Sequence, residues 1–95
     1  MITEHALITI QPGRQADFEA AFPQARAVIS QAEGFVDLQL QRGIESDTTY
    51  LLLIRWQTLE AHTVGFRQSE RFGQWRALIG PFFANAPAVD HFAPV

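Results

Sequence analysis

Cysteine and lysine are both absent from this chain of 95 residues. Without cysteine the protein has no disulfide framework, no thiolate nucleophile and no cysteine-bound zinc. Seven arginines supply all of the positive side-chain charge. They are scattered along the chain, and the formal net charge is −3. Because binding to nucleic acid requires clustered positive charge, this distribution argues against a nucleic acid partner.

Long apolar segments are missing as well. Uninterrupted apolar runs such as residues 51–54 are far shorter than the roughly 20 residues that a membrane helix needs. The first residues lack the basic region and apolar core of a signal peptide. We therefore expect a cytoplasmic protein with no membrane contact. The apolar share of 47% is compatible with a packed core, and we expect a single domain over residues 1–95.

The sequence also lacks the common motifs of catalysis. It contains no nucleophile elbow, no glycine-rich phosphate loop and no dinucleotide fingerprint. The three histidines, His5, His62 and His91, do not have the close spacing of a helical metal site. We expect neither a metal nor a cofactor, although a three-histidine site assembled from separate strands stays open as a minor alternative.

Apolar periodicity predicts the element order β-α-β-β-α-β. Strands are predicted at residues 2–10, 35–42, 49–56 and 88–92, and a first helix at residues 14–32. A second helix is predicted from an N-cap at Thr58, with a new start at Ser69 and an end at Gly80. Pro23 lies deep in the first helix, so we expect either a kink near Phe22 or two abutting helical pieces.

This order predicts an α+β, ferredoxin-like βαββαβ fold. Two right-handed β-α-β crossovers place both helices on one face of a four-stranded antiparallel sheet. The third strand is apolar at odd positions (Leu51, Leu53) and at even positions (Leu52, Ile54), so both faces of the sheet require cover. We expect a second copy of the chain to cover the open face, which gives a homodimer of the dimeric α+β barrel type.

His62 is the main candidate for chemistry. We expect it on the inner helical face with Leu59 and Phe66, at the wall of a cleft between helices and sheet. There an imidazole can accept a proton near neutral pH or bind a substrate oxygen. The alternative is a structural histidine bonded to a backbone carbonyl or water. His5 shares a strand face with Leu7, and it is a candidate for substrate binding in the same cleft or a contributor to the dimer interface.

A dense aromatic set surrounds the second helix. It is either core or the wall of an apolar pocket shaped for a flat ring. Its members are Phe66, Phe72, Trp75, Phe82 and Phe83. Arg76 could reach a phenolate or carboxylate through a forked hydrogen bond, with surface solvation as the alternative. Arg55 interrupts the apolar third strand, and we expect it to be buried and paired with Glu4 or Asp90.

Four segments carry a resemblance to a known family. They are ITIQPG at residues 8–13, EGF at residues 33–35, LIRWQTLEAH at residues 53–62 and GFRQSERF at residues 65–72. With these segments the chain resembles, essentially end to end, the antibiotic biosynthesis monooxygenase (ABM) domain family. That family forms dimeric α+β barrels. Its members include cofactor-independent oxygenases of phenols and quinols, haem-degrading enzymes, an isomerase and proteins without known activity.

The resemblance implies a cofactor-independent monooxygenase that acts on a small aromatic or quinol-type molecule. The haem-degrading branch carries a tryptophan and a haem-ligating histidine where this chain has Phe66 and Arg76, so we do not expect haem. Our candidate catalytic residues are His62 and Arg76. The candidate substrate-binding residues are His5, Phe66, Phe72, Trp75 and Phe83. A non-catalytic binding or stress-related protein, or an isomerase using the same cleft, stays open as an alternative.

Overall fold

Four strands and four helical segments make up the protein in a computed structural model that describes residues 1–95. The strands are β1 (Ile2–Thr9), β2 (Phe35–Arg42), β3 (Thr49–Trp56) and β4 (Ala88–Phe92). The α-helices are α1 (Gln15–Ile29) and α2 (Glu70–Ile79). A π-helix (Ala61–Phe66) precedes α2, and a 3₁₀ turn (Gly80–Phe82) follows it. The predicted βαββαβ order is confirmed.

The strands form one antiparallel sheet in the order β2-β3-β1-β4. The predicted four-stranded ferredoxin-like sheet is therefore confirmed. Burial alternates along β3 as expected. Leu52 and Ile54 are almost fully buried, while Leu51 and Leu53, on the other face, are only half-buried. The helices therefore cover one face of the sheet, which we call the inner face.

The core lies between the inner face and the two α-helices. Its largest members include Trp56 from β3, Phe18 from α1 and Ile79 from α2, each at most 1% exposed. Burial of side chains of this size stabilises a protein by about 1.5–3 kcal/mol each. The outer face has no helical cover, and Leu7 and Phe92 are 45% and 56% exposed. No helix is long and apolar enough to cross a bilayer.

Helix α1 is continuous through Pro23, so the expectation of two abutting pieces is wrong. Pro23 has no N–H, and the carbonyl of Glu19 loses its partner within the helix at a cost of about 3 kcal/mol. Phe18, Phe22 and Ile29 are buried against the core along one side of α1. This burial offsets the lost hydrogen bond, because tertiary packing supplies most of the stability of a helix in a protein.

The segment before α2 differs from an ordinary helix. The Thr58 hydroxyl accepts a hydrogen bond from the Ala61 N–H at 3.1 Å, which confirms the predicted N-cap. The chain then forms a π-helix, a rare conformation that is frequent at functional sites. His62 and Phe66 are both buried, as expected, whereas Leu59 is 40% exposed and does not share their inner face.

Ser69 occupies the N-cap position of α2 with an extended backbone, so the predicted new start of the helix is confirmed. Its hydroxyl donates to the Phe66 carbonyl at 2.6 Å and does not cap the N–H groups of α2. This bond joins the end of the π-helix to the start of α2.

Arg55 is not a buried charge, and its predicted pairing with Glu4 or Asp90 is wrong. It lies on the outer face and forms a forked ion pair with Asp37, in which its Nε donates to Oδ1 at 2.8 Å. An irregularity of β2 between Phe35 and Asp37 places the Asp37 carboxylate opposite Arg55. Glu4 lies on the inner face, out of reach of Arg55.

Candidate functional site

A cavity of about 590 Å³ lies between the inner face of the sheet and the π-helix–α2 segment. Nineteen residues line it, and twelve of them are hydrophobic. Ala6 and Val89, which face each other across β1 and β4, have small side chains and leave space there. The volume and the apolar wall are typical of pockets for small organic ligands.

The cavity brings together six of the seven residues that the sequence indicated. They are His62, Phe66, Phe72, Trp75, Arg76 and Phe83. The segment that carries Phe83 is held at the end of β1, because the Ala84 N–H donates to the Thr9 carbonyl at 2.8 Å and Phe83 pairs with Ile10. Chain segments more than seventy positions apart therefore close the cavity.

His5 is the seventh candidate, and it does not line this cavity. The alternation of β1 places it on the outer face, where its ring packs edge-on against Phe92 at 5.6 Å between centroids. Its assignment to substrate binding has no support in the geometry of the cavity, and a contribution to the dimer interface stays a prediction.

Aromatic side chains give the cavity a rigid wall. Phe66 packs against Trp56, Phe72 and Trp75, with ring centroids 5.7, 5.5 and 6.2 Å away. The contacts with Phe72 and Trp75 are edge-to-face, which is a preferred arrangement of aromatic rings. Phe66 and Trp75 are 2% and 8% exposed, so they belong to the core and also form part of the wall.

Glu4 is a site residue that the sequence analysis did not select. It lines the cavity and is only 6% exposed. The Trp56 Nε1–H donates to Glu4 Oε1 at 3.0 Å, and His62 Nε2 lies 3.3 Å from the same oxygen. The available signal was the pattern of β1, in which Glu4 is the acidic exception among apolar even positions such as Ile2 and Ala6.

His62 is held through both of its ring nitrogens. Its Nδ1 lies 2.8 Å from His91 Nε2, its Nε2 faces Glu4, and its ring stacks on Trp56 at 5.4 Å. Burial lowers the pKa of His62 to about 4, and the positive charge of Arg67 and the neighbouring His91 add to the shift.

The pKa of Glu4 shifts in the opposite direction to that of His62. Burial raises the pKa of Glu4, and the Trp56 hydrogen bond and the charge of Arg67 only partly oppose this. A carboxylate at 3.3 Å would ordinarily favour a charged imidazole, but desolvation of both groups outweighs that attraction here. The His62 ring is therefore neutral near pH 7, and its Nε2 is in close polar contact with Glu4 Oε1.

Glu4, His62 and His91 form a chain of contacts and do not converge on a common point. His62 uses opposite ring nitrogens for its two neighbours, so the three groups cannot ligate one ion in this arrangement. No group of three or more histidine or carboxylate side chains is placed to hold a metal ion. A three-histidine site is not assembled, because His5 lies on the outer face.

Two arginines supply positive charge at the cavity. Arg67 and Arg76 both line it, and neither is paired with a carboxylate, unlike Arg14, Arg42 and Arg55. The Arg76 guanidinium lies 5.9 Å from the centroid of the Phe72 ring. An unpaired guanidinium beside an apolar pocket is suited to bind an anionic oxygen of a ligand.

Comparison with known proteins relates this chain to a protein family. The model of the family described as antibiotic biosynthesis monooxygenase matches residues 1–78. The uncharacterized protein YczJ of Bacillus subtilis strain 168 is 41% identical over 95 residues, the whole of both chains. A crystal structure from Bordetella bronchiseptica, named as a candidate antibiotic biosynthesis monooxygenase, is 46% identical with a TM-score of 0.95. The match covers 99% of this chain and 96% of that one.

A more distant structural relative is SnoaB of Streptomyces nogalater, which is named as a cofactor-independent oxygenase. It is 20% identical with a TM-score of 0.84, and the match covers 99% of this chain and 92% of SnoaB. At this identity the comparison shows a shared fold alone. Residues 79–95, which include Phe83, His91 and strand β4, lie beyond the range matched by the family model.

Proposed function

Because the chain belongs to the antibiotic biosynthesis monooxygenase family, we propose that it is a cofactor-independent monooxygenase of a small aromatic or quinol-type molecule. The observation that carries this proposal is the composition of the cavity wall. A mostly apolar pocket contains one acid–base pair, Glu4 and His62, and two unpaired guanidinium groups. This combination suits a flat substrate that ionises when it reacts.

Binding follows from the wall of the cavity. Phe66, Trp75 and Phe83 offer apolar and aromatic surface to a planar ring. Arg76 lies at the same wall, where it stabilises the negative charge that develops on a substrate oxygen. The substrate is thus held in one orientation next to the Glu4–His62 pair, and water is displaced from the pocket.

In the proposed reaction the substrate supplies the electrons. Loss of a proton to the acid–base pair leaves an electron-rich anion, which can reduce molecular oxygen directly. For an anthrone, the ring CH₂ carbon loses two hydrogens and gains one oxygen atom as a carbonyl. The second oxygen atom leaves as water with those two hydrogens. The protein contributes orientation, proton transfer and exclusion of water.

An isomerase is the second candidate, because the Glu4–His62 pair could also move a proton between two positions of a substrate without oxygen. Dependence on molecular oxygen separates the two reactions. A protein that only sequesters its ligand would bind the same molecules and release them unchanged.

We also propose a homodimer in which the outer faces of two sheets pack together. Leu7 and Phe92 support this, because both are large and apolar and both are half exposed on a sheet face without helical cover. The cytoplasmic location stays a prediction.

Oxygen uptake with a panel of hydroquinones and anthrones tests the proposed reaction. We expect the wild type to consume oxygen with at least one member. His62→Ala should lower the rate by about 10- to 100-fold, because it removes one member of the Glu4–His62 pair on which proton transfer depends. Val64→Ala is the matched control, since Val64 lies in the same π-helix, is 50% exposed and does not line the cavity. Substrate conversion without oxygen uptake would contradict the proposal.

A further inference from the structure

We propose that Glu4 is the residue that accepts the proton of the substrate, and that His62 and His91 position its carboxylate. This inference rests on the proposed function and specifies which atom of the site performs proton transfer. Three independent features of the geometry lead to it. They are the occupancy of the His62 nitrogens, the free oxygen of Glu4 and the order of the contacts from the cavity toward β4.

The first feature is that each ring nitrogen of His62 already lies next to a side chain of the protein. Nε2 lies 3.3 Å from Glu4 Oε1, and Nδ1 lies 2.8 Å from His91 Nε2. A general base must be able to reach the proton it removes, within about 2.6–3.2 Å or through one water. To do this, His62 would have to turn Nε2 away from Glu4 or give up its hydrogen bond with His91, so we assign it a positioning role.

The second feature is the free oxygen of Glu4. Oε1 receives the Trp56 Nε1–H at 3.0 Å and faces His62, whereas Oε2 has no partner in the protein. No buried side-chain oxygen or nitrogen lacks a partner, so Oε2 is not sealed inside the core. Since Glu4 lines the cavity, Oε2 is the carboxylate atom that a ligand in the cavity can reach.

The third feature is the order of the contacts. Glu4 and His62 line the cavity and His91 does not, so the contacts run from the cavity through His62 to β4. When Glu4 is ionised it only accepts hydrogen bonds, so the His62 tautomer with its proton on Nε2 is the one that suits the contact with Oε1. His62 Nδ1 then accepts from the Nε2–H of His91. The Trp56 N–H and the neighbouring His62 ring both lie at Glu4 Oε1, which leaves Oε2 as the oxygen available on the cavity side.

The charged groups near Glu4 suit this role. His62 and His91 reach it from the π-helix and β4, and Arg67 and Arg76 line the cavity with their positive charges. Burial raises the pKa of Glu4, which makes its carboxylate a stronger base than an exposed one. The arginines stabilise the negative charge that moves to the substrate when the proton leaves.

The proton step is balanced within the reaction. The O–H or C–H bond of the substrate breaks, an O–H bond forms at Glu4 Oε2, and the electron pair stays on the substrate as an anion. Molecular oxygen accepts electrons from that anion and forms a peroxide on the substrate. Glu4 then returns its proton to the peroxide. The remaining hydrogen leaves the same carbon as a proton, its bonding electrons form the carbonyl, and the O–O bond breaks so that the distal oxygen leaves with both hydrogens as water. Glu4 ends each cycle ionised, so no further reactant is needed.

The kinetic test compares Glu4→Gln with His62→Gln in the full-length protein, using the hydroquinone and anthrone panel. Glu4→Gln keeps an oxygen for the Trp56 N–H but cannot take up a proton. We expect its kcat to fall by about 10²- to 10⁴-fold with little change in KM, and the acidic limb of the pH–rate profile to disappear. His62→Gln should lower kcat less and keep that limb at a shifted position, because the base is still present.

A Glu4→Gln variant with wild-type kcat would overturn the inference while leaving the proposed reaction intact. Loss of the acidic limb in His62→Gln, with its retention in Glu4→Gln, would also overturn it. Circular dichroism checks that each variant is folded. If Glu4→Gln does not fold, Glu4→Asp replaces it, and partial activity with a displaced acidic limb supports the inference whereas an unmoved limb overturns it.

A second measurement separates this inference from the proposed function. In the wild type without ligand, carbon-13 NMR follows the Glu4 carboxyl and nitrogen-15 NMR follows the His62 ring as the pH is varied. We expect the carboxyl to titrate above the ordinary range for glutamate, with a matching inflection in the His62 ring that moves in His91→Gln. If the wild type oxidises no member of the panel, the proposed function fails, and this titration alone then tests the inference about Glu4 and His62. An ordinary Glu4 pKa with no response at His62 overturns the inference.

Discussion

At the scale of single residues, the site consists of ionisable groups brought close together in an apolar setting. Glu4 is held by the Trp56 N–H, which lies 52 positions away in the sequence, and by His62. Desolvation shifts the pKa of Glu4 upward and that of His62 downward, so each favours its neutral form. Opposed shifts in neighbouring groups are a common mark of acid–base sites.

The positions of the site residues were only partly predictable from the sequence. Periodicity identified His62, Phe66 and Trp75, because each follows the inner face of a helical segment. The place of Glu4 at the cavity and the partner of Arg55 depend on which strand positions face each other, and that register is not visible in a single sequence. The alternation in β1 was the one signal that could have singled out Glu4.

The shift at His62 predicts how stability depends on pH. Its pKa falls from the ordinary 6.5 to about 4 in the folded state, so the folded protein resists protonation of this ring. The resulting contribution to stability is present above pH 6.5 and is lost as the pH falls toward about 4. The pKa of Glu4 is raised, so its contribution to stability changes with pH in the opposite direction and offsets part of this loss.

We expect the free energy of unfolding of His62→Gln to fall less steeply over this pH range than that of the wild type. Urea denaturation at a series of pH values measures both slopes. Val64→Ala neither adds nor removes a titrating group, so its free energy of unfolding should change with pH as steeply as that of the wild type. Parallel curves for His62→Gln and the wild type would show that His62 does not titrate differently in the folded state.

At the scale of secondary-structure elements, the π-helix sets the geometry of the site. The sequence predicted a helix here from its cap and its apolar spacing, and the cap at Thr58 is confirmed. A π-helix closes its hydrogen bonds over one more residue than an α-helix, and apolar spacing over six residues does not distinguish them. This is why Leu59 is exposed although His62 and Phe66 face inward.

Gly34 lies directly before β2 and close to the first residue of the π-helix. Its φ of +85° is a left-handed conformation that other residues adopt at a cost of about 1–2 kcal/mol. A Cβ at this position would also come within 2.6 Å of the Ala61 Cβ, at the first residue of the π-helix. Overpacking of this kind costs about 1–3 kcal/mol.

We therefore expect Gly34→Ala to reduce the free energy of unfolding by about 2–5 kcal/mol, from strain and overpacking together. Gly13→Ala is the matched control, because Gly13 has a φ of +86° but a Cβ added there would meet no atom within 4 Å. It should lose only about 1–2 kcal/mol. Urea denaturation measures the free energy of unfolding of both variants. Equal reductions in the two would rule out a steric role for Ala61.

At the scale of the whole molecule, the fold follows from the order and spacing of the elements. The βαββαβ order, the antiparallel sheet and the single helical layer were all predicted, because they depend on periodicity and on the handedness of crossovers. The single chain leaves the outer face of its sheet open. The apolar odd positions of β3 and the exposed Leu7 on β1 point to a second copy of the chain as its cover.

A charge at the centre of the outer face should separate such a dimer. Leu7→Glu places a carboxylate at a position that is 45% exposed in one chain, so the single subunit should fold normally. We expect sedimentation velocity at micromolar concentration to show a dimer for the wild type and a monomer for Leu7→Glu. Val64→Glu, at a 50% exposed position of the π-helix, should remain a dimer. A monomeric wild type would contradict the proposed assembly.

Incorporation of oxygen-18 tests the proposed chemistry most directly. The purified protein is supplied with the anthrone or hydroquinone that gives the fastest oxygen uptake, under an atmosphere of oxygen-18 gas, and the product is analysed by mass spectrometry. We expect one labelled oxygen atom in the product of an anthrone and the other in water, with far slower labelling by Glu4→Gln. A product formed by the wild type without any label from the gas would show that the cavity does not carry out monooxygenation.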